Sequence, residues 1–98
     1  MKSQEQSSGV QSILDKIAEQ NPEAILFDDL NNAIVGTGCQ WGSSVVAVYD
    51  SSKILHELEV VYEFSEVDAA EWFSFNIQQF NAGEHTPIIF DPLPDMDD

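Results

Sequence analysis

The residues best suited to nucleophilic chemistry in this chain are one cysteine and two histidines. Cys39, His56 and His85, together with Asn76, supply the residue kinds of a thiol hydrolase. A thiol nucleophile needs a base within hydrogen-bond reach and surroundings that favour the thiolate, which an acidic chain opposes. Isolated histidines are more often surface or packing residues. The sequence therefore predicts no enzyme, no catalytic residue and no cofactor.

Oxygen-rich segments raise the question of metal binding. Residues 28–32 read Asp-Asp-Leu-Asn-Asn, and four aspartates lie between Asp91 and Asp98. Neither segment has the ligand spacing and distal glutamate of an EF-hand loop. A turn in which these side chains cap backbone amides is the commoner structure. The sequence predicts no metal, with a weak cation site at the Asp28-Asp29 turn as the alternative.

The glycines at 36, 38 and 42 superficially resemble a phosphate-binding loop. Such a loop leads into a helix and has a lysine nearby, whereas here a strand follows and no cation is close in sequence. A hairpin loop with positive φ at a glycine is the better interpretation. Trp41 at its tip either folds back on the core or serves as an exposed binding anchor.

Two polar residues are predicted to have structural roles. Asn76 interrupts the apolar stripe of a helix, so we expect it to point inward and to bind the backbone of the 83–85 turn. Asp50 precedes a helix as its N-cap. The alternative is a ligand site that combines Asn76 and Asp50 with Tyr49 and Glu84.

Acidity is the dominant chemical property of the chain. It has 98 residues and a net charge of −15, with 18 acidic residues, 3 lysines and no arginine. No basic residue follows Lys53, whereas eleven carboxylates do. Such a field repels nucleic acid and anionic membranes and attracts cationic surfaces. We predict a partner-binding surface on the second and third helices that also includes Trp41. Its carboxylates are Glu57, Glu59, Glu63, Glu66, Asp68 and Glu71.

The hydrophobic pattern predicts the elements that position these side chains. Apolar spacing indicates a helix from Val10 that ends at Asn21-Pro22. β-branched runs at 33–36 and 44–49 indicate an antiparallel hairpin, and a last strand at 86–90 lies at a sheet edge because of Pro87. Ser65 begins a third helix that reaches Phe80, after the helix capped by Asp50.

These elements define an α+β fold, a small and mostly antiparallel sheet of three or four strands with about three helices packed on it. The predicted organisation is a flexible N-terminus at 1–9, one domain at 10–90 and an acidic tail at 91–98. One cysteine, no signal-peptide pattern and no apolar run long enough to span a membrane indicate a cytoplasmic protein.

Five stretches resemble a family of small acidic proteins, mostly uncharacterised, of bacteriophages and prophages. They extend over about two-thirds of the chain and comprise residues 22–26, 32–36, 46–50, 69–76 and 83–90. The Phe75-Asn76 pair with the Gly83-Glu84 and Thr86-Pro87 turn is the most specific part. The resemblance implies a phage-encoded protein in the host cytoplasm but no particular reaction.

Charge and resemblance together predict a protein that binds and inhibits a basic host protein, such as a nucleic-acid-binding defence protein, by imitating DNA. The alternative is an interaction module that forms a homodimer or docks through Trp41 and a sheet edge. A third alternative, an acidic face that serves only solubility, stays open at this point.

Overall fold

Three helices and three strands make up the fold, in a computed structural model that describes residues 8–27, 29–40, 42 and 44–93. The helices are α1 (Ser8–Gln20), α2 (Ser51–Val60) and α3 (Glu66–Phe73). The strands are β1 (Ile34–Gly38), β2 (Val46–Asp50) and β3 (Ile88–Phe90). The α+β prediction is confirmed. The predictions for Trp41, for Asp28, for residues 1–7 and for residues 94–98 fall outside the described residues.

The sheet is mixed, in the order β1-β2-β3. β1 and β2 form the predicted antiparallel hairpin, with Gly38 opposite Val46 and Gly42 at φ +77° in the loop between them. β3 returns after two helices and pairs in parallel with β2, with Val48 opposite Ile88. Because the connection crosses over the sheet, only one of the two strand pairings is antiparallel. β3 is an edge strand, as predicted from Pro87.

The core lies between the sheet and the helices, with α1 against β1 and α2 against β2. Tyr49 is fully buried at its centre, and its hydroxyl accepts a hydrogen bond from the Phe27 N–H at 2.8 Å. Phe27 belongs to the apolar run at 24–27, which is not one of the strands. Three of the helical residues in the core are Ile17, Leu58 and Phe73.

The two predicted N-caps are confirmed. Ser65 Oγ accepts from the Asp68 N–H at 3.1 Å at the start of α3. Asp50 Oδ1 accepts from the Ser52 N–H at 2.9 Å, the Ser52 hydroxyl at 2.6 Å and the Lys53 N–H at 3.3 Å. Burial by itself would raise the pKa of Asp50, but these hydrogen bonds and the Lys53 charge hold it below its usual value.

The negative charge of the Asp50 cap is expected to add about 0.5 kcal/mol of stability at neutral pH beyond what a neutral asparagine cap gives. Since its folded pKa is lowered, that contribution is present above the unfolded pKa, about 3.9, and disappears as the pH falls through the folded pKa. Urea unfolding of the wild type and of Asp50→Asn from pH 7 to pH 2 checks this. The wild-type advantage should vanish at the acidic end, and an advantage that persists there would contradict the cap assignment.

α2 ends before Glu63 and Glu66, so the carboxylates of the second and third helices do not form one continuous row. The last helical residue is Val60, and the Phe64 N–H then donates to the Leu58 carbonyl at 3.1 Å. Glu63 takes a left-handed conformation with φ 62° inside this turn. The break between the second and third helices therefore covers residues 61–65, because the reversal that brings α3 back to the core begins directly after α2.

The third helix also departs from regular α geometry before Phe80. After α3 the chain forms a five-residue π-helical turn at Ser74–Gln78. Ala69, Phe73 and Ile77, four residues apart, are the positions that face the core. None of the helices in the described ranges has the length and apolarity needed to cross a membrane.

Candidate functional site

Carboxylates and exposed aromatic rings share one face of α3 and of the π-helical turn after it. Asp68, Glu71, Trp72 and Phe75 follow the i, i+3, i+4, i+7 spacing that places side chains on one side of a helix. This stripe lies outside the buried stripe of the same helix. Phe75 is 70% exposed and Trp72 is 36% exposed. We call these four residues the acidic-aromatic face.

A concave surface adjoins the acidic-aromatic face. A hollow of about 360 Å³ is lined by the four residues of the face together with Phe64 and Asn76. A second hollow of about 380 Å³ shares Phe64, Trp72 and Asn76 with it and extends towards the core. We call the second hollow the aromatic groove. Its lining includes the aromatic residues Phe27, Tyr62, Phe64 and Trp72 and the aliphatic residues Leu58 and Ile77.

The groove carries negative charge at its edge and no cation. Asp29, in a left-handed conformation with φ 62°, is an exposed residue of its lining. The residues that line the two hollows include no lysine, arginine or histidine. An apolar depression between carboxylates suits a ligand that is both hydrophobic and cationic.

The other predicted carboxylates do not join this face. Glu57 and Glu59 lie on opposite flanks of α2, because positions two apart on a helix point about 200° apart. Lys53 and His56 occupy the solvent side of α2 between them. Glu63 lies in the turn after α2. The single acidic surface predicted from Glu57 to Glu71 is thus divided by the geometry of two helices, and α3 holds its most concentrated part.

The predicted inward orientation of Asn76 is wrong. Asn76 is exposed, and its Nδ2 donates to the Trp72 carbonyl of its own helix at 3.0 Å. Since the core-facing positions are Phe73 and Ile77, a residue at 76 turns towards the groove instead. Its amide contributes to both hollows and does not reach the 83–85 turn in any hydrogen bond that the structure gives.

Asn21 has the role that the sequence assigned to Asn76. It is 7% exposed, and its Nδ2 donates to the Val45 carbonyl at 2.7 Å and approaches His85 Nδ1 at 3.1 Å. Its Oδ1 accepts from the Glu23 N–H at 3.2 Å. One side chain therefore joins the end of α1, the segment leading into β2 and the short 3-10 turn Gly83–His85.

The Asn21 contacts determine the proton position on His85. Because Val45 offers only a carbonyl and Glu23 offers an N–H, a single orientation of the amide satisfies both. His85 Nδ1 is therefore the acceptor and the ring proton is on Nε2. Nε2 lies 3.2 Å from Glu23 Oε1 and 3.6 Å from Glu84 Oε2. Both nitrogens of His85 are thus engaged in structural contacts.

The remaining residues considered for chemistry are not assembled into a site. Cys39 is exposed, and His56 is exposed on α2. Tyr49 and Asp50 hold backbone N–H groups, while Glu84 faces His85. Within the described part of the chain, no three histidine, cysteine, aspartate or glutamate side chains come together in a way that could hold a metal ion.

Comparison with known proteins gives no significant match to a family model, to a curated protein or to a solved structure. The resemblance to phage proteins therefore stays a prediction.

Sequence reasoning missed the aromatic groove and the Asn21 cluster. Periodicity alone places Trp72 on the same side of the helix as Ala69 and Phe73, yet Trp72 lines the groove. The signal in the sequence for the groove is the helical spacing of Asp68, Glu71, Trp72 and Phe75, which gives the helix a second stripe besides the buried one. No comparable signal in the local sequence singles out Asn21, because its partners Val45 and His85 are far away in the chain.

Proposed function

We propose that this protein is a non-enzymatic binding protein that docks on a basic surface of another protein and blocks it. The observation that carries the proposal is the acidic-aromatic face, where Asp68 and Glu71 lie beside the exposed rings of Trp72 and Phe75. Aromatic residues are enriched among the energetically dominant residues of protein interfaces. Carboxylates beside them attract lysine and arginine.

If the surface carried only carboxylates, solubility would be a sufficient explanation for them. The exposed aromatic rings beside these carboxylates argue against that explanation. A face that served only to keep the protein dissolved would gain nothing from Phe75 at 70% exposure. Rings between carboxylates instead offer a cationic partner both ion pairs and cation–π contacts. The combination favours recognition of a protein surface.

The partner class follows from the sign of the field. A net charge of −15 repels nucleic acid and anionic lipid, so the attracted surfaces are those of basic proteins. Proteins that bind DNA present such surfaces, and a compact acidic body competes for them. For a phage-encoded protein the target would be a nucleic-acid-binding host protein in the host cytoplasm, and the effect would be inhibition.

Docking through the edge of the sheet is the second candidate. β3 is an edge strand, and Ile88 and Phe90 are both exposed on it. An unpaired edge of this kind accepts a further strand from a partner or from a second copy. In that case binding would be insensitive to the charges on α3. The electrostatic repulsion between two chains that each carry a net charge of −15 also opposes self-association.

Displacement of DNA tests the proposal. Added to basic DNA-binding proteins bound to labelled duplex DNA, the protein is expected to release the DNA at low salt. Direct binding of the protein to the same partner without DNA should weaken steeply as salt is raised, because the Debye length shortens to about 8 Å near 0.15 M. Fluorescence anisotropy of the labelled duplex reports the release at low salt, and anisotropy of the labelled protein reports direct binding at each salt concentration.

An unrelated neutral protein of similar size serves as the control for crowding. If the protein displaced DNA from none of the basic proteins tested, that result would contradict the proposal. Direct affinity that does not change with salt would contradict the electrostatic part of it.

A further inference from the structure

The two hollows beside α3 have the form of a site for a pair of neighbouring side chains. They share Phe64, Trp72 and Asn76 as lining residues, so the two hollows are adjacent. Large side chains one helical turn apart on a partner helix are also neighbours, separated by about 5–6 Å. A flat basic surface would leave both hollows unfilled.

From this we infer that the partner inserts an amphipathic, basic helix into the aromatic groove. The inference rests on the proposed function and specifies its partner. Two apolar side chains of the helix, one turn apart, occupy the hollows on either side of Trp72. Lysine or arginine side chains on its flanks reach Asp68 and Glu71 of one hollow and Asp29 of the other.

Charge complementarity selects this occupant over the alternatives. The lining of both hollows has three carboxylates and no cation, and the chain has no basic residue after Lys53. A second copy of this chain would bring fifteen negative charges to the same surface. An acidic helix or an anionic lipid would be repelled for the same reason. A neutral apolar segment would leave the three carboxylates without partners.

The groove contains its own reporter. Trp72 is one of two tryptophans in the chain, so Trp41→Phe leaves it as the only one. In this background we would titrate a synthetic peptide of lysine and leucine arranged at helical spacing. The matched control is a peptide of the same composition in scrambled order. The amphipathic peptide is expected to shift the Trp72 emission to the blue and to bind at least about tenfold more tightly than the scrambled peptide.

Variants of the full chain locate the binding. Tyr62→Ser removes a groove wall from a side chain that is 39% exposed and should weaken binding of the amphipathic peptide about tenfold. Asn76→Phe, a substitution of an exposed residue, fills the mouth of both hollows and should weaken it similarly. The control Val67→Ser removes an exposed apolar side chain of α3 that lines neither hollow, and it should change affinity less than about twofold. Circular dichroism of each variant reports retention of the fold.

The outcomes separate this inference from the proposed function. Equal affinity for the two peptides, or unchanged affinity in both Tyr62→Ser and Asn76→Phe, would overturn the groove inference. The proposed function would survive that result if Asp68→Asn with Glu71→Gln still weakened binding and reduced its salt dependence. Binding that is insensitive to those two carboxylates but sensitive to Tyr62→Ser would overturn the proposed function and leave the groove as an apolar site.

Discussion

Replacement of Asn21 by alanine is expected to lower the free energy of unfolding by about 3 kcal/mol. The Asn21 side chain donates to the Val45 carbonyl, contacts His85 Nδ1 and accepts from the Glu23 N–H. Alanine removes all three contacts at a position that is 7% exposed, where water replaces them poorly. Small domains have free energies of unfolding of about 5–15 kcal/mol, so the loss is a large fraction of the total.

Urea denaturation followed by circular dichroism measures this loss, and Asn76→Ala is its matched control. Both substitutions delete an asparagine amide, but Asn76 is exposed and makes one hydrogen bond within its own helix. Alanine at 76 should cost less than about 0.5 kcal/mol. If Asn76→Ala proved as damaging as Asn21→Ala, the assignment of the structural amide to Asn21 would be wrong.

The contrast between these asparagines shows what local sequence can predict. Helix ends and caps depend on neighbours in the chain, so Asp50, Ser65 and the Asn21-Pro22 stop were predictable. The direction of Asn76 was not, because a one-position error about a helix axis turns a side chain by about 100°. The π-helical turn at Ser74–Gln78 adds a further departure that periodicity does not reveal.

The sheet likewise has one feature that local sequence predicts and one that it does not. The hairpin of β1 and β2 follows from two β-branched runs separated by a glycine-containing loop, and both strands were predictable. The parallel pairing of β3 with β2 depends on how two intervening helices pack, which no short window contains. The mixed character of the sheet is therefore a tertiary result.

The candidate site was predicted in composition but not in shape. An acidic surface on the second and third helices was expected, and Asp68 and Glu71 are the members that lie beside exposed aromatic rings. The turn that places Tyr62 and Phe64 opposite Trp72 arises from the early end of α2 and from Glu63 in its left-handed conformation. Periodicity extrapolated through residue 63 could not reveal the groove that this turn creates.

Reversal of charge on α3 is expected to have the largest effect on binding. In Asp68→Lys with Glu71→Lys, two cations replace two anions at the centre of the proposed interface. Like charges placed against each other across an interface cost several kcal/mol, so the affinity for a basic partner should fall by about 100-fold or more. The Ser65 cap acts on the backbone of residue 68 and remains available in the variant.

The matched control is Asp15→Lys with Glu19→Lys, which changes the net charge of the chain by the same amount. These exposed residues lie one turn apart on α1 and line neither hollow beside α3. Their long-range effect is screened at physiological salt, so the control should lose less than about fivefold in affinity. Circular dichroism and thermal unfolding of both variants report whether the fold is kept.

The most direct measurement is the affinity of the wild type and these two double variants for a basic DNA-binding protein, at equal salt. If the acidic-aromatic face is the binding site, the α3 variant loses about 100-fold and the α1 variant stays close to the wild type. Equal losses in the two variants would mean that only net charge matters. No loss in the α3 variant would place binding elsewhere, and either result would contradict the account.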